Sequence, residues 1–225
     1  MEDWYRDLVG IEQREQLLLH DYAPHEEYLR SLSGGVIDIG GGAGIAARFL
    51  RPDVRYIVVD PSEVWETTEW ANFGRHFRGS GPQPDFVKAS GEMLPFPDGQ
   101  FDVALSFWSL NHVADPRACL AEMARVLKRG GRARLVIDDI EPSWSDLLTD
   151  GAARAWGRIA SNGYTAKIQR SLMEAVRLKI RGTWPVHEDH IAIAEPDLLR
   201  WFGDSFTLFN RQWLGGSLIF DLMKR

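Results

Sequence analysis

The sequence has little that would place it outside the cell or in a membrane. A single cysteine, Cys119, excludes a disulfide within the chain and fits a reducing compartment. Residues 1–16 are charged throughout and lack the apolar run of a signal peptide. No stretch approaches the roughly 18 uninterrupted apolar residues of a membrane span. We therefore expect a soluble, cytoplasmic protein without a transmembrane segment.

A positive charge excess is also missing. The formal net charge is −6 over 225 residues, which argues against nucleic acid as a partner, because general nucleic-acid binding needs a basic footprint. With 44% hydrophobic and 26% charged residues, the chain has enough apolar material for a full core. At this length one globular domain is expected.

Short apolar runs alternate with helical patterns over the first 140 residues. The strand patterns are VIDIG, VRYIVVD, DFVKAS, FDVALSF and RARLVIDD. This alternation predicts an α/β fold with a doubly wound, mostly parallel sheet. Two further strand patterns near the C-terminus are separated only by Gly215 and Gly216, which indicates a hairpin and an antiparallel strand at the C-terminal edge. The sheet would then have seven strands. Between strands, IAARFL is expected to be helical, and the helix beginning at PRACL is expected to stop at Gly130 and Gly131.

The single domain, residues 1–225, divides by composition into four segments. They are a helical N-terminal cap (1–33), a core of alternating strands and helices (34–138), a helical lid (139–190), and a C-terminal helix with the hairpin (191–225). In an open α/β sheet, ligands bind beyond the carboxyl ends of the strands, so residues that follow each strand pattern are the first candidates for a site.

The glycine-rich stretch DIGGGAGIAA, residues 38–47, can be read in two frames. From Gly42 it fits the dinucleotide fingerprint G-x-G-x-x-G/A, which would indicate an NAD(P)-dependent oxidoreductase. From Asp38 it fits D-x-G-x-G-x-G, in which a carboxylate precedes the turn. A carboxylate there would repel a pyrophosphate and suits an ammonium or sulfonium group. Asp60 follows the second strand and can accept both hydroxyls of an adenosine ribose in either frame.

The run SGEMLPFPDGQFDVALSFWSLNHV, residues 90–113, favours the frame from Asp38. Together with the glycine turn, DPS at 60–62 and the helix–GG–strand element at 119–137, it resembles the small-molecule (type 11-like) branch of class I S-adenosylmethionine-dependent methyltransferases. The resemblance covers residues 34–140 and returns at 186–225. It implies a Rossmann-like methyltransferase fold, S-adenosylmethionine as cofactor, and S-adenosylhomocysteine as product.

The resemblance also implies roles for individual residues. Those expected to contact the cofactor are Asp38, Gly40, Gly42, Gly44, Asp60, Pro61, Ser62, Ser90, Gly91, Glu92, Met93, Ser106 and Phe107. Asp38 would lie near the amino group and Asp60 at the ribose hydroxyls, whereas Ser106 and Phe107 would line the methionine end. Ser90 stands where the family usually has an aspartate, which puts the contact to the adenine amine in doubt.

Two histidines are candidate catalytic bases. His112 falls on the second position of the family's frequent His-His pair, with Asn111 at the first, and His190 fits a histidine found in many of these enzymes before a short strand and a helix. A helix-capping or packing role is an equally good interpretation of His112. His187 and His190 form H-x-x-H, but one pair without a third ligand is a weak metal signal, so no metal site is predicted.

The acceptor is expected to be a small molecule methylated on oxygen, or on carbon, because the chain lacks the N/D-P-P-Y/F motif of base N-methyltransferases after the fourth strand. Residues 154–181 carry a net charge of +6 in an otherwise acidic chain. This segment could receive an anionic acceptor, such as a nucleotide-linked or lipid-phosphate-linked sugar, could rest peripherally on an anionic membrane, or could be a solvated helix face. Besides the methyltransferase and the NAD(P)-dependent oxidoreductase, a third interpretation is a protein that binds S-adenosylmethionine without catalysing a reaction. The oligomeric state stays open.

Overall fold

The structure is a computed structural model, and it describes residues 11–63, 65, 67–149, 173, 176–182, 186, 190–203, 205–214 and 217–225. Two helices near the N-terminus, α1 (Ile11–Tyr22) and α2 (Glu26–Arg30), are joined by a 3-10 turn at Ala23–His25. Most of the predicted lid lies outside the described residues. None of the helices in the described part of the chain is long and apolar enough to cross a membrane.

Within the described residues, seven strands form one mixed sheet, as the sequence predicts. They are β1 (Gly35–Ile39), β2 (Arg55–Val59), β3 (Asp85–Val87), β4 (Phe101–Phe107), β5 (Leu127–Ile137), β6 (Phe206–Leu214) and β7 (Ser217–Lys224). Their order across the sheet is β3-β2-β1-β4-β5-β7-β6. The first five strands are parallel to one another, and β7 pairs antiparallel with both β5 and β6.

The position of the C-terminal strand differs from the prediction in one respect. β7 is antiparallel as predicted, but it lies one place inside the sheet, and β6 is the edge strand. The cause is the hairpin itself: its second strand pairs with β5, so its first strand is left outside. β7 is correspondingly the more apolar of the two, with Leu218, Ile219 and Phe220 buried, whereas Phe209 of β6 is 64% exposed.

Two local predictions need correction. IAARFL forms a short 3-10 helix, Ile45–Phe49, because Gly44 enters it in the left-handed conformation and its hydrogen bonds close over three residues. The helix that was expected to stop at Gly130 and Gly131 ends at Val126, and β5 begins at once. The glycines lie inside the strand, where the pairing of β5 with β4 shifts register between Phe101 and Val103.

Helices cover both faces of the sheet. One face packs against α4 (Pro116–Val126) and α5 (Glu195–Phe202), and the other packs against the N-terminal helices, the 3-10 helix and α3 (Thr68–Arg78). The central parallel strands β1, β2 and β4 are buried over most of their length, which is why their sequences are mostly apolar without a regular alternation. The carboxyl ends of β1, β2, β4 and β5 therefore share one edge, where the candidate residues lie.

Candidate methyltransferase site

The glycine turn after β1 depends on its glycines. Gly40, Gly42 and Gly44 have φ of +72°, +52° and +72°, a region that side chains rarely adopt. A Cβ atom on Gly40 would lie 2.3 Å from Cβ of Ser109, so the turn passes directly against the segment after β4. The Gly40 N–H donates to the Val59 carbonyl at 2.7 Å, which fixes the turn to the end of β2.

Asp60 joins the two loops that were predicted to hold the cofactor. Its Oδ2 accepts from the N–H of Gly42 at 3.0 Å, and its Oδ1 accepts from the N–H of Ser62 at 2.9 Å. A carboxylate oxygen can accept more than one hydrogen bond, so these contacts are compatible with a ribose hydroxyl as a further donor. Pro61 is exposed beside them. The acid after β2 thus shapes both loops through its two oxygens.

A cavity of about 390 Å³ opens between the glycine turn, β2, β3 and α3. Of the predicted cofactor residues, Gly42, Asp60 and Ser62 line it. The cavity is also lined by residues that were not predicted to contact the cofactor, which are Trp65, Trp70, Phe86, Arg75, Arg78 and Lys88. Flat aromatic walls beside a carboxylate that can accept ribose hydroxyls suit a nucleoside. The helix pattern around Trp65 and Trp70 could have indicated this wall.

Asp38 lies beneath the glycine turn rather than on the surface of the cavity. It is 1% exposed, and a Cβ on Gly41 would lie 2.7 Å from its carboxyl carbon. Burial, together with the neighbouring charge of Asp60, raises the pKa of Asp38 to about 6, although the hydrogen bond from the Tyr56 hydroxyl, 2.5 Å long, acts to lower it. Its Oδ1 has no hydrogen-bond partner within the described part of the chain. A buried carboxylate with one open oxygen is suited to a cation.

The loop at 90–93 forms a closed turn. The Ser90 hydroxyl donates to the Glu92 carboxylate, which also accepts from the N–H of Asp115. Burial would raise the pKa of Glu92, but these hydrogen bonds outweigh it and the pKa is lowered. A Cβ on Gly91 would meet the sulfur of Cys119 at 2.8 Å, so this glycine is needed for close packing. Met93 is 77% exposed and does not line the cavity.

Ser106 and Phe107 point to opposite faces of the sheet. The Ser106 hydroxyl contacts that of Ser109 at 2.8 Å, and Ser109 donates to the Ile39 carbonyl at 2.7 Å, which joins the ends of β4 and β1. Phe107 is 6% exposed and packs against the rings of Tyr22 and His25. Phe107 therefore belongs to the core under the N-terminal cap.

The two candidate bases meet. The rings of His112 and His190 lie 4.1 Å apart, edge to face, although 77 residues separate them in the sequence. The N–H of Ile191 donates to the Asn111 carbonyl at 2.7 Å and so fixes the His190 segment to the end of β4. His190 Nδ1 lies 2.6 Å from Oδ2 of Asp139. His187 lies outside the described residues.

Asp138 and Asp139 were missed by the sequence analysis. They follow β5 directly, and Asp139 has a φ of +55°. Oδ1 of Asp138 accepts from Nδ2 of Asn111 at 2.9 Å. The rule that ligands bind at the carboxyl ends of parallel strands applies to these residues too, so the pair at the end of RARLVIDD was a usable signal.

Comparison with known proteins identifies the domain. A family model described as "Methyltransferase domain" matches residues 37–135. Residues 37–135 form a class I S-adenosylmethionine-dependent methyltransferase domain. The match lies in the core from β1 to β5, and S-adenosylmethionine is the cofactor of this domain, which agrees with the frame that begins at Asp38.

Individual relatives extend the methyltransferase match. The chain is 34% identical over 146 residues to a demethylmenaquinone methyltransferase of Paenarthrobacter aurescens, covering 61% of this chain and 51% of the relative. It is 35% identical over 158 residues to a ubiquinone/menaquinone biosynthesis C-methyltransferase of Pseudomonas putida, covering 64% and 58%. The chain spans about half the length of these methyltransferases.

Among solved structures, the methyltransferase fold recurs at low identity. Magnesium protoporphyrin IX methyltransferase from Synechocystis, with S-adenosylhomocysteine bound, superposes with a TM-score of 0.62 at 18% identity, covering all of this chain and 94% of that one. This likeness extends over the N-terminal helices and the C-terminal hairpin, beyond the residues that the family model matches.

Proposed function

We propose that the chain transfers a methyl group from S-adenosylmethionine to a hydroxylated small molecule, on the oxygen or on a carbon that the ionised oxygen activates. One observation carries this proposal. The two imidazoles, His112 and His190, and the carboxylate of Asp139 come together at the carboxyl ends of β4 and β5. Groups that can accept a proton are what an alcohol or phenol needs before it can attack a methyl group.

The proposed methyl transfer balances in bonds and protons. The acceptor O–H bond breaks and its proton goes to an imidazole of the cluster. The electron pair left on oxygen, or delocalised onto a ring carbon, forms the bond to the methyl carbon. The carbon–sulfur bond of the cofactor breaks, and its pair stays on sulfur as neutral S-adenosylhomocysteine. With a carbon acceptor, the ring proton then leaves to solvent and the oxygen takes back the proton held by the imidazole, so that one proton is released in total. The protein aligns the three atoms and excludes water.

Two further observations support a hydroxyl acceptor. The segment after β4 reads SFWSLNHV and lacks the motif that serves amines on nucleic-acid bases. The relatives from Paenarthrobacter and Pseudomonas are named as quinone-pathway methyltransferases, and the second is a C-methyltransferase by name. A hydroquinone needs the same loss of a hydroxyl proton whether oxygen or carbon is methylated.

An anionic acceptor is the finer part of the proposal. Arg177 and Arg181 of the basic segment are exposed, whereas Lys179 pairs with Glu141 at 2.6 Å and lies over the ring of Trp144. The two exposed guanidinium groups are therefore the candidates for a phosphate-bearing acceptor. Phosphorylated and unphosphorylated acceptors with the same hydroxyl test this part separately.

The experiment is methyl transfer from isotope-labelled S-adenosylmethionine to a panel of hydroquinones, phenols, sugar nucleotides and amines. We expect transfer to hydroxylated acceptors, and a fall in kcat of about 100-fold or more in His112→Gln and in His190→Gln, since loss of proton transfer typically costs 10²–10⁴-fold. His76→Gln is the matched control, because His76 is an exposed histidine of α3, and its activity should stay within about twofold of the unmodified protein.

Transfer to amines alone would overturn the proposal. Equal activity of all three histidine variants on a hydroxyl acceptor would do the same. Retained binding of S-adenosylhomocysteine without turnover on any acceptor would favour a cofactor-binding protein that is not a catalyst.

A further inference from the structure

We infer that Asp138, Asp139 and His190 form a binding site for a divalent cation at the acceptor end of the site. The inference rests on the proposed function, because the cation would hold the acceptor's oxygen. One ligand atom from each of the three residues lies within 4.8 Å of the others. All three side chains are partly or largely shielded from solvent, with His190 7% and Asp139 15% exposed.

His190 Nδ1 faces two groups of opposite hydrogen-bonding character. This nitrogen lies 2.6 Å from a carboxylate oxygen of Asp139 and 2.7 Å from the amide nitrogen of Asn111. An imidazole nitrogen is either a donor or an acceptor, so it can satisfy the carboxylate or the amide but not both. As a donor it would face the NH₂ of Asn111, and as an acceptor it would face the carboxylate of Asp139. The arrangement becomes favourable when a cation takes the nitrogen lone pair and the carboxylate together.

Asn111 gives an independent indication. Its side chain is 1% exposed, and its Oδ1 has no hydrogen-bond partner in the described part of the chain. Its Nδ2 lies in the cluster, 2.9 Å from Asp138 Oδ1 and 2.7 Å from His190 Nδ1. A half-turn of the amide keeps its shape and exchanges the two atoms, which places the unpartnered oxygen in the cluster. An oxygen there would be repelled by the ionised carboxylate of Asp138, and a cation between the two oxygens would remove that repulsion.

The spacing fits a metal shell. Neighbouring ligands in an octahedral shell with bonds of about 2.1 Å are separated by about 3 Å. The contacts among Asp138, Asp139, His190 and the Asn111 amide run from 2.6 to 2.9 Å, so a small outward movement would admit the ion. Two carboxylates supply the charge that balances a divalent cation.

The ligand set points to a particular kind of ion. Carboxylate and amide oxygens suit Mg²⁺ and Mn²⁺, and an imidazole adds affinity for the transition metals, so Mn²⁺ suits the mixed set best. The remaining coordination positions would be open to hydroxyl oxygens of the acceptor, whose pKa the ion would lower. His112, whose ring contacts that of His190, is then the residue placed to take the proton.

The test measures binding of Mn²⁺ alone to the full chain, from the loss of the free-ion electron paramagnetic resonance signal. We expect one saturable equivalent, weakened about 10-fold or more in Asp139→Asn and in His190→Ala. Asp53→Asn, which changes an exposed aspartate remote from the cluster, should bind Mn²⁺ as the unmodified protein does. Calorimetric titration with S-adenosylhomocysteine checks that each variant is folded, since the cofactor site uses other residues.

Absence of saturable binding, or equal binding in all variants, would overturn the cation site. The two proposals fail separately. Methyl transfer to a hydroxyl that persists in excess EDTA, without Mn²⁺ binding, would remove the cation and leave the proposed function. Saturable Mn²⁺ binding that Asp139→Asn abolishes, without transfer to any hydroxyl, would keep the cation site and remove the proposed function.

Discussion

Asp38→Asn is expected to make the protein more stable at pH 7 and at the same time a weaker binder of S-adenosylhomocysteine. Burial raises the pKa of Asp38 to about 6, so at pH 7 the free protein carries a buried negative charge. Asparagine has nearly the same shape, can still accept the hydroxyl of Tyr56, and does not ionise. We expect the free energy of unfolding at pH 7 to rise by about 1–2 kcal/mol. Removing the buried charge stabilises the folded state by about 3 kcal/mol, and the new amide N–H, which is buried without an acceptor, offsets part of this gain.

The sign of the pH dependence follows from the raised pKa. The protonated carboxyl is favoured in the folded state, so this stabilisation is complete below about pH 4 and is lost as the pH rises through about 6. Urea unfolding from pH 4 to 8 should therefore show a gain for Asp38→Asn that grows with pH. A variant no more stable than the unmodified protein at pH 7 would contradict the assignment.

Cofactor binding should respond in the opposite sense. The cofactor's ammonium group favours the ionised carboxylate, so affinity should rise about tenfold from pH 5 to pH 7 in the unmodified protein, as expected for a group with a pKa near 6. Asp38→Asn should bind about 10- to 100-fold more weakly at pH 7, the usual cost of a charge-assisted hydrogen bond, with little dependence on pH. Asp53→Asn is the control, because its carboxylate is exposed. Equal affinity of the two variants would place Asp38 away from the ammonium.

Arg211→Ala is expected to be the most destabilising substitution that we describe. Arg211 of β6 donates to both oxygens of Asp146 at 2.5 and 2.8 Å, and to both oxygens of Glu195 at 2.5 and 2.7 Å. It thereby connects the edge strand to the helical residues 144–149 and to the start of α5. Alanine would leave two largely buried carboxylates without their cation, which typically costs about 3–5 kcal/mol. Urea unfolding at pH 7 measures the loss.

The partner residues supply the control for that variant. Burial acts to raise the pKa of Asp146, but hydrogen bonds from Arg211 and Ser143 lower it to about 2. The stabilisation from this ion pair is therefore present above about pH 4 and is lost as the pH falls toward 2. The triple change Arg211→Met, Asp146→Asn and Glu195→Gln removes every charge together and should recover most of the stability. A loss below about 1 kcal/mol in Arg211→Ala would show that solvent replaces the guanidinium.

Much of the fold follows from local sequence. β4 begins and ends at the predicted residues, Phe101 and Phe107, because a parallel strand covered on both faces is mostly apolar in sequence. The hairpin is predicted from two alternating patterns around a Gly-Gly pair. The start of β5 is not, because Gly130 and Gly131 have the composition of a helix stop and lie in a strand whose pairing with β4 shifts register. The local conformational preference of glycine carries no information about which distant strand the segment pairs with.

The site is predictable in a similar, partial way. The glycine turn directly follows β1 and Asp60 directly follows β2. Both are therefore predicted by the rule that ligands bind beyond the carboxyl ends of the strands in an open α/β sheet. The meeting of His112 with His190 depends on the path of residues 139–190, which no local pattern determines. Phe107 was expected at the methionine end and packs in the core, because alternate residues of a strand point to opposite faces and its neighbour Ser106 takes the other side. The cofactor roles of individual residues stay predictions.

Calorimetric titration of the full chain with S-adenosylhomocysteine, beside NADPH, tests the central claim most directly. The account predicts micromolar binding of S-adenosylhomocysteine alone, weakened at least tenfold in Asp60→Ala, because Asp60 both accepts the ribose hydroxyls and holds the glycine turn through Gly42. Asp53→Ala, an exposed aspartate outside the cavity, should bind normally. Binding of NADPH without S-adenosylhomocysteine would contradict the account and require the glycine turn to be read from Gly42.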